Sequence, residues 1–373
     1  MEFEEPTSPS DLNQDLLRLI LSRIVDGLTL SAATSASTDL HRIASEDRLW
    51  ERLCHTTWPS MLDTKAKATI KGGGFSKFYG DCFPRILYKP VEGEATTTTN
   101  NTARVEPADL VSLVDVHYKN KCVFSRALHG IPITGDVLDD GDEDVGLAYY
   151  GSWFLDCPFR MDVLAQRSGD EYVDYVERDG GDDEGGDPQQ LRLETEEEKR
   201  VLQENVRVSW IIMNAKTGEA VNLSSWKPRS VQKNWLAEGD LVMKFGCAVG
   251  GSRGLRARNG FCCWSKPAEC VITLRCRCVG EVGEVVVVEW REIGLHVVDV
   301  DGVHLSGRSG LEVLDRALRC DRSTDHGKVE MGYRSYDVDR AVAKVERDKR
   351  DWAAERVWIF IVVVVFASVF YFF

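Results

Sequence analysis

Residues 11–26 read Asp-Leu-Asn-Gln-Asp-Leu-Leu-Arg-Leu-Ile-Leu-Ser-Arg-Ile-Val-Asp, and their apolar positions decide how the N-terminal part of the chain folds. Leu12, Leu16, Ile20 and Ile24 recur every four residues, with Leu17 and Leu21 beside them. That spacing predicts a helix whose apolar stripe is broader than a lone surface helix needs. Ser10 or Asp11 can cap its start, and Gly27 stands where a left-handed C-terminal cap would fall. A second helix is expected over 28–37, where Ala32, Ala33 and Ala36 permit close packing, and a third through Leu40 and Ile43. Ser45, Glu46 and Asp47 supply a cap and favourable negative charge for a final turn bearing Leu49, Trp50 and Leu53. Residues 10–58 cannot bury all these leucines among themselves, because small domains bury only about 60% of their unfolded surface. The surplus implies a partner. Each Leu or Ile wholly buried at such a contact would contribute roughly 1.5–3 kcal/mol before ordering costs.

The stretch 10–58 resembles the F-box. That family's pattern is a Leu-Pro start, a Leu-Leu pair, an Ile-Leu-x-x-Leu run, a Leu before small residues and a closing Leu-Trp. Here the elements are Leu12, Leu16-Leu17, Ile20-Leu21-Ser22-Arg23-Ile24, Leu30 with Ala32-Ala33, and Leu49-Trp50 followed by Leu53-Cys54. Two positions depart from it: Asn13 stands where the Pro is usual, and Leu40-His41 where a mid-domain Trp is usual. The resemblance implies docking on a Skp-type adaptor, and through it on a cullin scaffold, by Leu12, Leu16, Leu17, Ile20, Leu21, Ile24, Leu30, Leu49 and Trp50. The rest of the chain would then capture a target protein for ubiquitin transfer, with no catalytic residue and no cofactor of its own. Val221–Pro228 and Val300–Gly307 look like the C-terminal region of a plant F-box family, and they identify no ligand.

Composition agrees with a protein-recruiting chain. Its 373 residues suffice for two or three folded units, and a hydrophobic content of 43% with ten tryptophans supports a real core. A formal net charge of −14 and a pI near 5.1 argue against nucleic acid, which needs a basic face to displace counterions from phosphates. Eleven cysteines, with no apolar leader before them, read as reduced thiols.

Along the chain, residues 1–9 form a short leader, 10–58 the helical module and 59–104 a linker with the Gly72–Gly74 and Thr96–Thr102 loops. Residues 105–205 are mixed and carry acidic clusters at 136–144 and 182–187, expected as solvated loops because like charges at that density repel. Residues 206–320 have the character of antiparallel β structure. Strands are expected at Val206–Met213, Leu241–Phe245, Cys270–Val279, Glu284–Trp290 and Leu295–Val300, with a helix over Leu311–Cys320. A charged helical stem, 321–356, follows.

Sharper chemistry finds little support. Cys262, Cys263, Cys270, Cys276 and Cys278 contain no C-x-x-C pair, and Cys270, Ile272, Leu274, Cys276 and Cys278 fall on one face of a single strand. Buried strand cysteines are therefore favoured over zinc. The acidic clusters lack the calcium-loop pattern, and Gly250–Gly254 lacks the Gly-Lys-Ser/Thr ending of a phosphate loop. Seven dispersed histidines, His296 and His304 among them, sit beside no plausible nucleophile. Trp210, Trp226, Trp235, Trp264 and Trp290 are mostly core candidates, with one or two available for a peptide- or sugar-binding surface.

Residues 357–373 carry no charge, and their length reaches the lower bound of a spanning helix. They are expected as a C-terminal membrane anchor. Arg340, Lys344, Arg347, Lys349, Arg350 and Arg356 before the span would hold residues 1–356 on the cytoplasmic side, with Trp352 and Trp358 at the interface. The expected fold class is thus α+β: a small helical F-box, a mainly antiparallel β region and a C-terminal transmembrane helix. A membrane-anchored interaction scaffold and a ligand-sensing β-domain are the alternative functions.

Overall fold

The computed structural model describes residues 14–90, 105–131, 152–165, 195–234, 237, 239–253, 264–282 and 285–372. The N-terminal apolar stripe forms helix α1, Gln14–Leu21, followed by α2, Gly27–Ala33, α3, Thr38–Ala44, and α4, Asp47–Thr57. Part of the stretch read as a linker is also helical, with a 3-10 turn at Pro59–Leu62, α5 at Thr64–Thr69 and α6 at Gly74–Cys82. The chain then builds β1 (Arg85–Ile86), β2 (Leu110–Tyr118), β3 (Lys121–His129), β4 (Arg160–Ala165), α7 (Thr195–Asn205), β5 (Val206–Asn214) and β6 (Ala220–Asn222). After these come β7 (Ser230–Lys233), β8 (Asp240–Val249), β9 (Ser252–Arg253), β10 (Trp264–Ser265), β11 (Ala268–Val282) and β12 (Val285–Asp299). The last elements are α8 (Gly307–Ala317), β13 (Arg322–Ser323) and α9 (His326–Phe372).

Two antiparallel sheets form the body, one ordered β3-β2-β5-β6 and the other β4-β12-β11-β8-β7. Successive strand residues point to opposite faces, and both faces of the first sheet are covered. In β5, Val208, Trp210 and Ile212 enter the core shared with the second sheet and α8, whereas Ile211 and Met213 pack against the N-terminal helices. In β2, Val114 and Val116 divide from Val111 and Leu113 in the same way. The helices therefore form an outer layer on the first sheet and share a core with it. At that boundary the buried Asp115 carboxylate accepts from Ser60 N at 2.9 Å, Ser60 Oγ at 2.6 Å and Ser125 Oγ at 2.7 Å.

The second sheet turns alternate residues of β11 into the core. Cys270, Ile272, Leu274 and Cys276 are buried there as the one-face reading expects, while the side chain of Cys278 lies outside the described residues. Glu269, one residue out of phase, faces α9, where it accepts a hydrogen bond from Tyr333 Oη and pairs with Arg340 at 3.4 Å. Tyr333 and Tyr336 pack with Tyr88, Ala248 and Val300 in a separate small cluster. Two expected strands, Glu284–Trp290 and Leu295–Val300, are one strand, β12. Cys276 pairs with Trp290 and Arg275 with Glu292, so Arg291 is the extra residue of a bulge that lets the ladder continue through the polar break. The acidic clusters at 136–144 and 182–187, and Cys262 and Cys263, fall outside the described residues.

The expected transmembrane helix is overturned. Among the described residues no helix is long and apolar enough to cross a membrane. The charged stem and the apolar tail form one continuous helix, α9. Within α9 the uncharged stretch Val357–Phe372 rises about 24 Å at ~1.5 Å per residue, short of the ~30 Å hydrocarbon core. The side chains at 367, 369, 370 and 372, and residue 373, lie outside the description. The cytoplasmic-side placement of residues 1–356, which depended on that anchor, falls with it.

Candidate functional site

α1 is amphipathic in a particular way: both of its long faces are apolar. Leu17 and Leu21 point inward and are 5% and 4% exposed. Leu16, Leu19 and Ile20 point outward at 43%, 55% and 49%. Beyond the turn, Val25 and Leu28 are also exposed. Five large apolar side chains thus line α1 and the start of α2 without cover from the rest of the described chain.

The surface is held rigidly from beneath. Leu30, Leu49 and Trp50 are buried in the same cluster as Leu17 and Leu21, and Ile24 is half-buried against it. The Trp50 indole N–H donates to Ala44 O at 2.8 Å, so a large side chain fills the core without a lost hydrogen bond. Asp26 caps α2 by accepting from Leu28 N at 3.1 Å and Thr29 N at 2.8 Å, and the Thr29 hydroxyl above all holds its carboxyl below the usual range. Ser37 caps α3 through Leu40 N. Arg18 ties α1 to the start of α4, its Nε donating to Glu46 at 2.8 Å.

Gly27 is not the C-terminal cap of α1; it is the first residue of α2. A Cβ there would meet Tyr79 Cε1 at 2.2 Å, and its N–H donates to Tyr79 Oη at 3.3 Å. Glycine is needed for close approach rather than for a left-handed turn. The Ser45–Asp47 cap also differs: Glu46 precedes α4 with no side-chain cap bond, and Asp47 instead accepts from Phe75 N at 2.7 Å.

The nine residues expected to contact the adaptor therefore divide. Leu16 and Ile20 are exposed, Leu17, Leu21, Leu30, Leu49 and Trp50 support the surface from below, Ile24 lies between, and Leu12 is outside the described residues. Leu19, Val25 and Leu28 join the exposed surface although no family motif singles them out. Their signal was their apolarity alone, which a helix apolar on both faces makes easy to overlook.

The motifs of the β region are structural. Asn222 Oδ1 accepts from Trp210 N and Ser224 N, Ser224 Oγ accepts from Trp226 N, and Trp226 adopts φ +71°. In the second motif, Asp299 Oδ1 accepts from Asp301 N and Val303 N, and Ser306 caps α8. These residues shape turns. His296 is half-buried beside His304, with ring centroids 5.5 Å apart, and desolvation above all pushes its pKa down to about 4. Trp210 and Trp290 are buried, while Trp235 and the side chain of Trp264 lie outside the described residues. Among the described residues no group of three or more His, Cys, Asp or Glu could hold a metal ion.

The chain is similar to known plant proteins. It is 28% identical over 316 residues to the probable F-box protein At2g36090 of Arabidopsis thaliana, covering 84% of this chain and 77% of that one. It is 27% identical over 374 residues to the Arabidopsis F-box protein At3g44326, covering 97% and 90%. The chain is similar to plant F-box proteins over most of its length. A shorter match, 27% identical over 109 residues, joins it to the F-box protein GID2 of Oryza sativa subsp. japonica, covering 28% of this chain and 48% of that one. No protein-family model and no solved structure matches the chain. The similarity to the Arabidopsis proteins extends well beyond the N-terminal helices into the β body, as the two C-terminal motifs imply.

Proposed function

We propose that this chain is the substrate receptor of a Skp–cullin–F-box ubiquitin ligase, in which the helical module docks on the adaptor and the β body holds a target protein. One observation carries the reading: Leu16, Leu19, Ile20, Val25 and Leu28 stay exposed above a helical core that is already filled. A core short of apolar residues would have drawn them in. With the core complete, their burial is left for a partner, and the similarity to F-box proteins supports a Skp-type adaptor as that partner. The receptor acts by proximity and does no chemistry itself. Asp115 and the shared core join the helical module to the first sheet, so a target held by the body would keep a fixed distance from the adaptor.

The test uses the full chain, because the helical module shares its core with β2, β5 and β6. Wild type is expected to co-purify with a Skp-type adaptor. Leu16→Asp/Ile20→Asp is expected to lose the adaptor while keeping the wild-type melting temperature, since both side chains are already half in water. Failure of the wild type to bind, or full binding by a folded double variant, would sink the receptor reading.

A further inference from the structure

Helix α9 is 47 residues long, and the described body packs against one of its faces. Tyr333 and Tyr336 are buried there, Arg340 reaches Glu269, and Arg347 donates to Asp301 O at 2.9 Å. The opposite face carries Met331, Val338, Val345 and Trp352, which follow one another at intervals of seven and are 52–63% exposed, and Ile359 and Phe366 continue the spacing through a tail exposed and apolar at every position from 357 to 366. Val342 and Val363, each four residues beyond one of these, are exposed beside them. From Met331 to Phe366 this seam rises about 52 Å at ~1.5 Å per residue.

The spacing says what covers the seam. On a straight helix, residues seven apart drift by about 20° per repeat. A strict seven-residue repeat of this length therefore stays in one contact only when two helices wind around each other left-handed. A lipid surface would ask instead for a broad apolar arc, and along the stem the seam is narrow, with Arg334, Asp337, Lys344, Asp348 and Asp351 beside it. Charge then selects a second copy of this chain. If the seven-spaced residues are the d positions of a heptad, Lys349 and Arg356 fall at a, each directly preceded by an acid at g, Asp348 and Glu355. In a parallel, in-register pair an a residue lies beside the other helix's g residue. Lys349 then meets Asp348 of the second copy, and Arg356 meets Glu355 of the second copy. Basic residues at a, here Lys349 and Arg356, lower stability but help to fix register and strand number.

We propose that α9 pairs with α9 of a second copy in a parallel two-stranded coiled coil along the Met331–Phe366 seam. Each body packs on its own helix mainly through Tyr333, Tyr336 and Arg340, away from the seam, so the pair would present two bodies on one stalk. This inference stands independently of adaptor binding.

The full chain carrying Val345→Cys tests it, because α9 has no cysteine of its own. Copper–phenanthroline oxidation is expected to link Val345→Cys into a covalent dimer much faster than Ala354→Cys, which sits away from the seam. Lys349→Glu is expected to weaken dimerisation in sedimentation at least about tenfold by like-charge contact with the second copy, and adding Asp348→Lys to restore it. Equal cross-linking at 345 and 354 would mean unspecific sticking of the apolar tail and would overturn the coiled coil. So would a wild type that sediments as a monomer at micromolar concentration, or that phospholipid vesicles capture as a monomer.

Discussion

Asp115 shows how one residue can set the pH behaviour of the junction between helices and sheet. Its carboxyl is pushed up to about 6 by burial, with the Ser60 and Ser125 hydrogen bonds pulling the other way. The folded chain therefore holds this proton more tightly than the unfolded chain. The stability it contributes is fully present below the unfolded value of 3.8 and is lost as pH rises through about 6. Asp115→Asn keeps an oxygen for Ser60 N and removes the titration. Wild type minus Asp115→Asn in urea melts should fall by about 2 kcal/mol between pH 4 and pH 7, and a flat difference would show that the carboxylate is not buried as described. Asp63 runs the opposite way: its carboxyl is lowered, with Ala66 N and His129 outweighing burial, so acid removes stability there. Only the difference between variants isolates Asp115. Gly27 supplies a second residue-scale prediction. Gly27→Ala drives a methyl into the Tyr79 ring and should cost about 1–3 kcal/mol by overpacking, most of which should disappear in a Tyr79→Ala background. Neither role was legible in the sequence. Asp115 meets Ser60 across 55 positions, and Gly27 looked like a cap because nothing local revealed a tyrosine 52 residues away.

At the scale of elements, legibility depended on whether a segment buries one face or two. α1 was visible from its period, but the period could not say which apolar face is inside, because Leu12–Leu16–Ile20 and Leu17–Leu21 are chemically alike. That ambiguity has a measurable consequence. Leu17→Ala should destabilise the fold by about 2–5 kcal/mol through the cavity it leaves. Leu16→Ala, at 43% exposed, should cost less than about 1 kcal/mol. Equal costs in thermal melts would mean that α1 is rotated from the orientation described. β2 went unread for a related reason. Covered by helices on one side and the second sheet on the other, Leu110–Val116 is buried at every position and shows no alternation. β5 is equally two-sided, although its stretch Val206–Met213 was read as a strand. β11 was the clearest strand, since Thr273, Arg275 and Arg277 alternate with the buried Ile272, Leu274 and Cys276 in a period of two. The anchor over 357–373 was read from seventeen uncharged residues, the least a crossing helix needs, and among the described residues no helix is long and apolar enough to cross a membrane.

At the scale of the molecule, the sequence suggested beads on a string: a module, a linker, a β region and a tail. The described residues show instead that the helices and the first sheet close one core. Trp58, Met61, Phe78 and Tyr79, from the stretch read as linker or its border, pack with Leu17 and Leu53 on one side and with Val111, Leu113 and Ile211 on the other. Such a core has no plane along which the module could separate without exposing large aromatic side chains, several of them almost fully buried. Val111 and Leu113 lie on the same strand as Val114 and Val116, which belong to the core between the sheets, so strain in one layer reaches the next. The consequence is cooperative unfolding. Tryptophan fluorescence, dominated on the helical side by Trp50 and Trp58, should lose its folded signal at the same urea concentration as the far-ultraviolet circular dichroism of the sheets. Residues 1–60 alone should lack a cooperative transition, because they leave behind Phe78, Tyr79 and every sheet residue of their core. Two separated transitions in the full chain, or a sharply melting 1–60 fragment, would show that the module is independent. The rigid spacing between adaptor and target would then have to come from contacts other than this core.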